Sequence, residues 1–239
     1  MCPFCAAASF LQRLILERMV KLVVGLGAFS MNDKMGLQGS YDGRFIEAGC
    51  DEAGRGCLAG PVYAAAVILP CDFEHPLLDD SKKLTALQRK RLREAILADA
   101  LDYGVAAVDN EEIDELNIFR SSIVAMHRAL DQLTERPELL LIDGKFFHSY
   151  RNLPHRCIIG GDGRYLSIAA ASVLAKTYRD DYMESLHREH PEYNWKSNKG
   201  YATAQHRKAL QEYGISPYHR RSFRLLPEGT QLGLDGLNR

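Results

Sequence analysis

Three apolar runs in this chain stop on an aspartate that stands beside a glycine or a second acid: Cys50-Asp51-Glu52, Ile142-Asp143-Gly144 and Gly161-Asp162-Gly163. A carboxylate at the end of a buried strand is costly unless a cation or hydrogen-bond donors offset it. Three such ends at one sheet edge would repel each other unless divalent cations sat between them. Any one aspartate alone could cap a helix or a turn. Asp51, Glu52, Asp143 and Asp162 together favour a site for hard divalent cations, which take oxygen ligands. In a regular strand Asp51 and Glu52 point to opposite faces. Their convergence therefore requires the strand to end or bulge near Ala53-Gly54. The following Gly54-Arg55-Gly56 loop lets backbone approach an anionic or sugar-like group closely, because glycine places no side chain in the way. Acids and loop together predict a metal site built to touch a phosphodiester.

The rest of the pattern supplies a sheet to carry such an edge. Strands are predicted at residues 45–51, 62–69, 103–108, 139–142 and 157–159. Helices are predicted from the Thr85 N-cap to residue 101, and over 118–133, 166–187 and 203–213, with a loop at 191–200. The small residues Ala169, Ala170, Ala171 and Ala175 would let the third helix pack closely on a sheet. Strands alternating with helices indicate an α/β layer fold.

Charge and cysteine usage narrow the function. A formal net charge of −1 argues against indiscriminate, charge-driven coating of nucleic acid, although residues 196–208 and 219–224 form local basic stretches. Six cysteines without regular spacing indicate a reducing compartment, hence the cytoplasm, and not a disulfide framework. Cys2 and Cys5 make a lone CxxC, read as incidental thiols. The first thirty residues are apolar but interrupted by Arg13, Glu17, Arg18 and Lys21, which excludes a membrane span, and their order of charge does not fit a secretory signal. Two readings are open: translation begins at Met31 or Met35, or the segment is a weakly structured amphipathic helix.

The segment Cys50-Asp51-Glu52-Ala53-Gly54-Arg55-Gly56-Cys57-Leu58-Ala59-Gly60-Pro61-Val62 resembles the signature of bacterial ribonuclease HII, the type 2 ribonuclease H. Five further blocks agree with that family in order: Asp80-Ser81-Lys82-Lys83-Leu84, Ile113-Asp114-Glu115-Leu116-Asn117-Ile118, Leu141-Ile142-Asp143-Gly144, residues 167–176, and His219-Arg220-Arg221-Ser222-Phe223. One departure is Gly163, where the family's block carries alanine after the aspartate; another is the N-terminal extension.

The resemblance implies a ribonuclease H-like fold, a central mixed β-sheet flanked by helices, with a helical C-terminal extension. The implied domains are an N-terminal extension (1–43), a catalytic core (44–189), a helical substrate-binding extension (190–226) and a flexible tail (227–239). It implies that Asp51, Glu52, Asp143 and Asp162 hold two Mg²⁺ or Mn²⁺ ions roughly 4 Å apart that clamp the scissile phosphate. Gly54, Arg55 and Gly56 would meet the 2′-hydroxyl through their backbone, and Tyr201 would pack on the neighbouring deoxyribose. Lys82, Lys83, Ser172 and Lys176 are substrate-binding candidates; for the lysines a solvated surface role is the alternative, and for Arg55 an ion pair with a ligand carboxylate. His127, His148, His155 and His206 are read as surface or packing residues.

The implied activity is an endoribonuclease, a monomer acting on RNA–DNA hybrids and on ribonucleotides embedded in duplex DNA, with 5′-phosphate and 3′-hydroxyl products. A junction resolvase of the same fold would have no use for a 2′-hydroxyl sensor, and a silent hybrid binder would not need all four acids. Gln231-Leu232-Gly233-Leu234 resembles sliding-clamp-binding peptides, against the alternative of a disordered end. Pull-down with a clamp, with and without the last ten residues, separates the two.

Overall fold

The computed structural model describes residues 36–78 and 84–226. The segment before residue 36, Lys82 and Lys83, and the tail with Gln231-Leu232-Gly233-Leu234 lie outside the described residues. In chain order the elements are β1 (Glu47–Ala53), β2 (Val62–Ile68), α1 (Ala86–Asp99), β3 (Asp102–Val108), α2 (Asn110–Leu116), α3 (Ile118–Leu130), β4 (Leu139–Asp143), β5 (His155–Ile158), α4 (Leu166–Glu189), α5 (Trp195–Asn198) and α6 (Ala204–Tyr213).

The strands form one sheet in the order β3-β2-β1-β4-β5. β1 pairs antiparallel with β2 and parallel with β4, and β4 pairs parallel with β5, so the sheet is mixed, as the family resemblance implies. Parallel pairing brings the carboxyl ends of β1, β4 and β5 to one edge. That edge carries the acids.

Side-chain alternation divides the core between the two faces. Ala48, Cys50, Ala64, Ala66, Leu140 and Ile142 pack with Ala125, Met126 and Ala129 of α3. Ala53, Ala65 and Val67 pack with Ala169–Ala171 and Leu174 of α4 and with Leu92 and Ile96 of α1. α4 approaches so closely that a Cβ on Gly49 would stand 2.3 Å from the Ser167 carbonyl carbon. The run of small residues in α4 makes this approach feasible.

Local signals account for the helix starts. Thr85 accepts from the Gln88 amide while the Gln88 side chain accepts from the Thr85 amide, a capping box that opens α1. α4 has no side-chain cap. Its Leu166 amide instead donates to the Gln38 carbonyl at 2.9 Å, and the Gln38 amide donates to the Arg164 carbonyl at 2.8 Å. The strap that carries Gln38 is tied down by the buried Glu47 carboxylate, which accepts from Ser40 Oγ and from the Tyr41 and Asp42 amides. Main-chain and side-chain bonds to the body therefore reach back to Gln38, within the stretch that the sequence reading assigned to the N-terminal extension. Among the described residues no helix is long and apolar enough to cross a membrane.

The predicted loop at 191–200 contains a 3-10 turn and the short helix α5. Together with α6 it forms a third apolar cluster, in which Trp195, Leu210 and Tyr193 pack on Leu58 and Ala59. The C-terminal extension is thus built directly onto the segment that follows the glycine loop.

Candidate active site

β1 stays in regular register through Ala53, with Asp51 opposite Ala65, Glu52 opposite Ala64 and Ala53 opposite Tyr63. β1 ends at Ala53, where the sequence reading expected the strand to end or bulge, but no bulge turns the two acids toward each other before that end. Antiparallel pairing with β2 carries the strand past the acids, and so Asp51 and Glu52 leave it on opposite sides. Asp51 lies on the α4 side and is buried. One of its oxygens accepts from the Glu52 amide at 2.7 Å, and Ser172 donates to the same carboxylate. Lys176 Nζ sits 2.6 Å from Ser172 Oγ, one turn further along α4. Burial first, then the charge of Glu52, push the Asp51 pKa up to about 8; Asp143 pushes the same way, while Ser172 and Lys176 oppose. Burial also raises the Glu52 pKa, opposed chiefly by Arg55, whose guanidinium lies 3.0 Å from the Glu52 carboxylate, and Asp143 adds to the rise.

Asp143 closes β4, and its carboxylate accepts from the Gly161 amide at 2.7 Å. Gly161 opens the 3-10 turn Gly161–Gly163 that presents the buried Asp162. The structure thus brings Asp51, Glu52 and Asp143 within electrostatic reach of one another and places Asp162 on the turn bonded to Asp143. Each of the first three is held by its own neighbours. Among the described residues no three Asp, Glu, His or Cys side chains are gathered into a ligand cluster. The donor set suits a hard divalent cation: it is all oxygen, at one sheet edge, with Asp51 destabilised as an anion by burial and by its neighbours.

The loop beside the acids is tightly determined. Gly54 has φ of +94°, and a Cβ there would lie 2.0 Å from Arg179 Nε. Glycine is therefore required at residue 54 by backbone and packing, while Gly56 faces open space. Tyr201 is joined to the loop: Cys57 and Tyr201 form a β-bridge, the Leu58 amide donates to the Gly200 carbonyl at 2.8 Å, and the phenol hydroxyl hydrogen-bonds the Cys57 thiol. The Tyr201 residue is 49% exposed and lies beside the buried Arg179.

The remaining candidates have defined neighbours. Arg55 is the ion-pair partner of Glu52. Ser172, proposed at the substrate, is fully buried behind Asp51, and Lys176 is bonded to it. His206 is fully buried, in accord with a packing role. Sequence reasoning gave no role to Arg179, Arg220 or Asp114. The first two are buried guanidiniums under the loop, and Asp114 accepts from the Arg221 and Ser222 amides. Arg220 lies in the His219-Arg220-Arg221-Ser222-Phe223 block and Asp114 in the Ile113-Asp114-Glu115-Leu116-Asn117-Ile118 block, while no block quoted from the sequence contains Arg179.

A five-stranded mixed sheet with acids at the carboxyl ends of its central strands, flanked by helices, is the ribonuclease H-like architecture. Ribonuclease H2 of Pyrococcus horikoshii superposes with a TM-score of 0.65 at 25% identity, covering 75% of this chain and 94% of that one. Ribonuclease HII of Archaeoglobus fulgidus, solved in a complex with PCNA, gives 0.63 at 26% identity, covering 80% and 99%. The class is therefore a metal-dependent ribonuclease H of type 2. The family model for ribonuclease HII matches residues 48–226. Ribonuclease HII of Bacteroides thetaiotaomicron is 63% identical over 190 residues, 80% of this chain and 94% of that protein. The chain belongs to the ribonuclease HII family.

Proposed function

We propose that the protein hydrolyses the RNA strand of RNA–DNA hybrids and also incises on the 5′ side of single ribonucleotides embedded in duplex DNA, leaving 5′-phosphate and 3′-hydroxyl ends. The observation that carries this reading is the adjacency of two devices: an acidic sheet edge, and a glycine loop bonded to a half-exposed tyrosine. Asp51, Glu52, Asp143 and Asp162 would hold Mg²⁺ or Mn²⁺, which supplies Lewis acidity and charge neutralisation at the scissile phosphate.

The chain's own residues do the rest. Ser172 and Lys176 fix the Asp51 carboxylate from behind, and Arg55 fixes that of Glu52. The 2′-hydroxyl is the group that marks a ribonucleotide within DNA. Gly56, with open space in front of it, lets the loop backbone come within hydrogen-bonding range of that hydroxyl and of the adjoining phosphate. Tyr201 offers a ring face to the next sugar, so a ribose followed by a deoxyribose satisfies both devices at once. The PCNA complex of the Archaeoglobus protein supports a sliding clamp as a partner, and residues 231–234 are the segment the sequence offers for it.

The test is a DNA duplex carrying one ribonucleotide, incubated with Mg²⁺ or Mn²⁺ and mapped for the cut. Incision 5′ of the ribonucleotide is expected, and an all-DNA duplex should stay intact. Asp51→Asn should bind the substrate but lose activity by about 10³-fold or more, as expected for removal of a group required in the transition state. Equal cutting of the all-DNA duplex, or full activity of Asp51→Asn, would overturn the proposal.

A further inference from the structure

Two arginines outside the acidic site are buried under the glycine loop. Arg179 of α4 and Arg220 in the C-terminal segment are 2% and 0% exposed. Neither takes part in a salt bridge among the described residues. Their donors go to main-chain carbonyls. Arg220 donates from Nη2 to Gly54 at 2.8 Å, from Nη1 to Arg55 at 2.9 Å and from Nε to Gly60 at 2.9 Å. Arg179 donates to Pro61 at 2.9 Å, to Ala59 at 3.1 Å and to Lys199 at 2.7 Å. A buried cation is expensive unless its donors are used. Here the two forks are spent on the loop between Gly54 and Pro61 and on the arm that carries Tyr201.

The consequence lies in peptide geometry. In a trans peptide the carbonyl of one residue and the N–H of the next point in opposite directions. With the Gly54 and Arg55 carbonyls drawn down onto Arg220, the N–H groups of Arg55 and Gly56 project away from it, toward the open side of the loop. We propose that Arg220, seconded by Arg179, is the positioning residue that sets these two amides and their spacing from Tyr201, and so determines how sharply the enzyme selects a lone ribonucleotide in DNA. The inference rests on the proposed function above. A lone ribonucleotide offers one hydroxyl in one register and depends fully on amide placement. A continuous RNA strand offers hydroxyls at successive positions and tolerates misplacement. Lysine at residue 220 would keep the charge but lose the fixed fork that engages three carbonyls together.

The experiment compares wild type, Arg220→Lys and Arg179→Lys on a duplex with one ribonucleotide and on a continuous hybrid of equal length, with kcat and KM resolved and thermal midpoints measured. For Arg220→Lys the ratio of kcat/KM, single ribonucleotide over continuous hybrid, should fall about tenfold or more, with most of the loss in KM for the single ribonucleotide. Cleavage of the hybrid should spread over more positions. Arg179→Lys should move the ratio in the same direction. A folded Arg220→Lys enzyme with the wild-type ratio would overturn the inference, as would loss of fold in both variants, which would assign the guanidiniums to stability alone. Wild-type inactivity on both substrates would instead defeat the functional reading on which the inference stands.

Discussion

Asp51 shows how a single residue is prepared for its task. Its carboxylate is buried behind β1, held by the Glu52 amide and Ser172, with Lys176 one bond further back. Groups that orient a metal ligand commonly change metal affinity or activity by about 10–100-fold when removed. Ser172→Ala should therefore raise the Mn²⁺ concentration for half-maximal cleavage by about 10–100-fold, with little loss of folded protein. A metal titration of activity reads this directly, and an unchanged half-saturation would show that Ser172 serves packing alone. The acids themselves were legible in the sequence, because a carboxylate ending an apolar run demands compensation. The residues that serve them were less so. Arg179 stands among Tyr178, Asp180 and Asp181, where a helix sequence reads as a solvent face, and two of its three acceptors lie more than a hundred residues away at Ala59 and Pro61. Carbonyl acceptors carry no side-chain signature.

Among the elements, α4 bears the most consequence. It covers one face of the sheet, brings Ser172 and Lys176 to Asp51, and presents Arg179 to the loop. Its position is set where its first turn meets Gly49. Gly49→Ala would force backbone apart, and overpacking of this kind costs about 1–3 kcal/mol. A chemical-denaturation midpoint shifted by that amount, with a disproportionate loss of cleavage as Ser172 moves with its helix, is the expected outcome. Wild-type stability in the variant would mean that α4 is free to shift. Long elements with periodic or alternating patterns were readable: the predicted 118–133 and 166–187 helices correspond to α3 and α4. α2 was missed, since seven residues give too little period, although Asp109 accepting from the Glu112 amide is a cap the sequence could have offered. α5, with four residues, has no period at all. The strap before Glu47 was read as extension because its bonds to the Asp162 turn and to α4 are main-chain bonds between segments distant in sequence.

On the scale of the whole molecule, the C-terminal extension is held together internally by a buried histidine pair whose tautomers are fixed by their partners. The Ser216 amide donates to His219 Nδ1 at 2.9 Å, so the His219 proton sits on Nε2, 3.1 Å from His206 Nε2. His206 Nδ1 faces the Tyr201 carbonyl at 2.9 Å and must donate to it. His206 Nε2 therefore accepts, from His219 and from the Trp195 indole at 3.1 Å. The chain of bonds works only with both rings neutral. Burial, then the like-charge repulsion a protonated His219 would meet from the nearby His206 and His190 rings, push the His219 pKa down from 6.5 to about 3, and burial lowers that of His206. The sign follows by linkage. Below 6.5 the unfolded chain takes up a proton at His219 that the folded chain refuses, so stability is fully present above 6.5 and is lost progressively as the pH falls toward 3. Each pH unit in that window removes up to about 1.4 kcal/mol through His219. Because the pair also holds the Tyr201 carbonyl, acid should loosen the tyrosine arm together with the extension. Denaturation midpoints measured from pH 7 to pH 4 should fall steeply for the wild type and less steeply for His219→Gln. Fluorescence of Trp195, the chain's single tryptophan, reports the same core independently. Parallel slopes for the two proteins would place the acid sensitivity elsewhere and sever the link between the histidine pair and Tyr201.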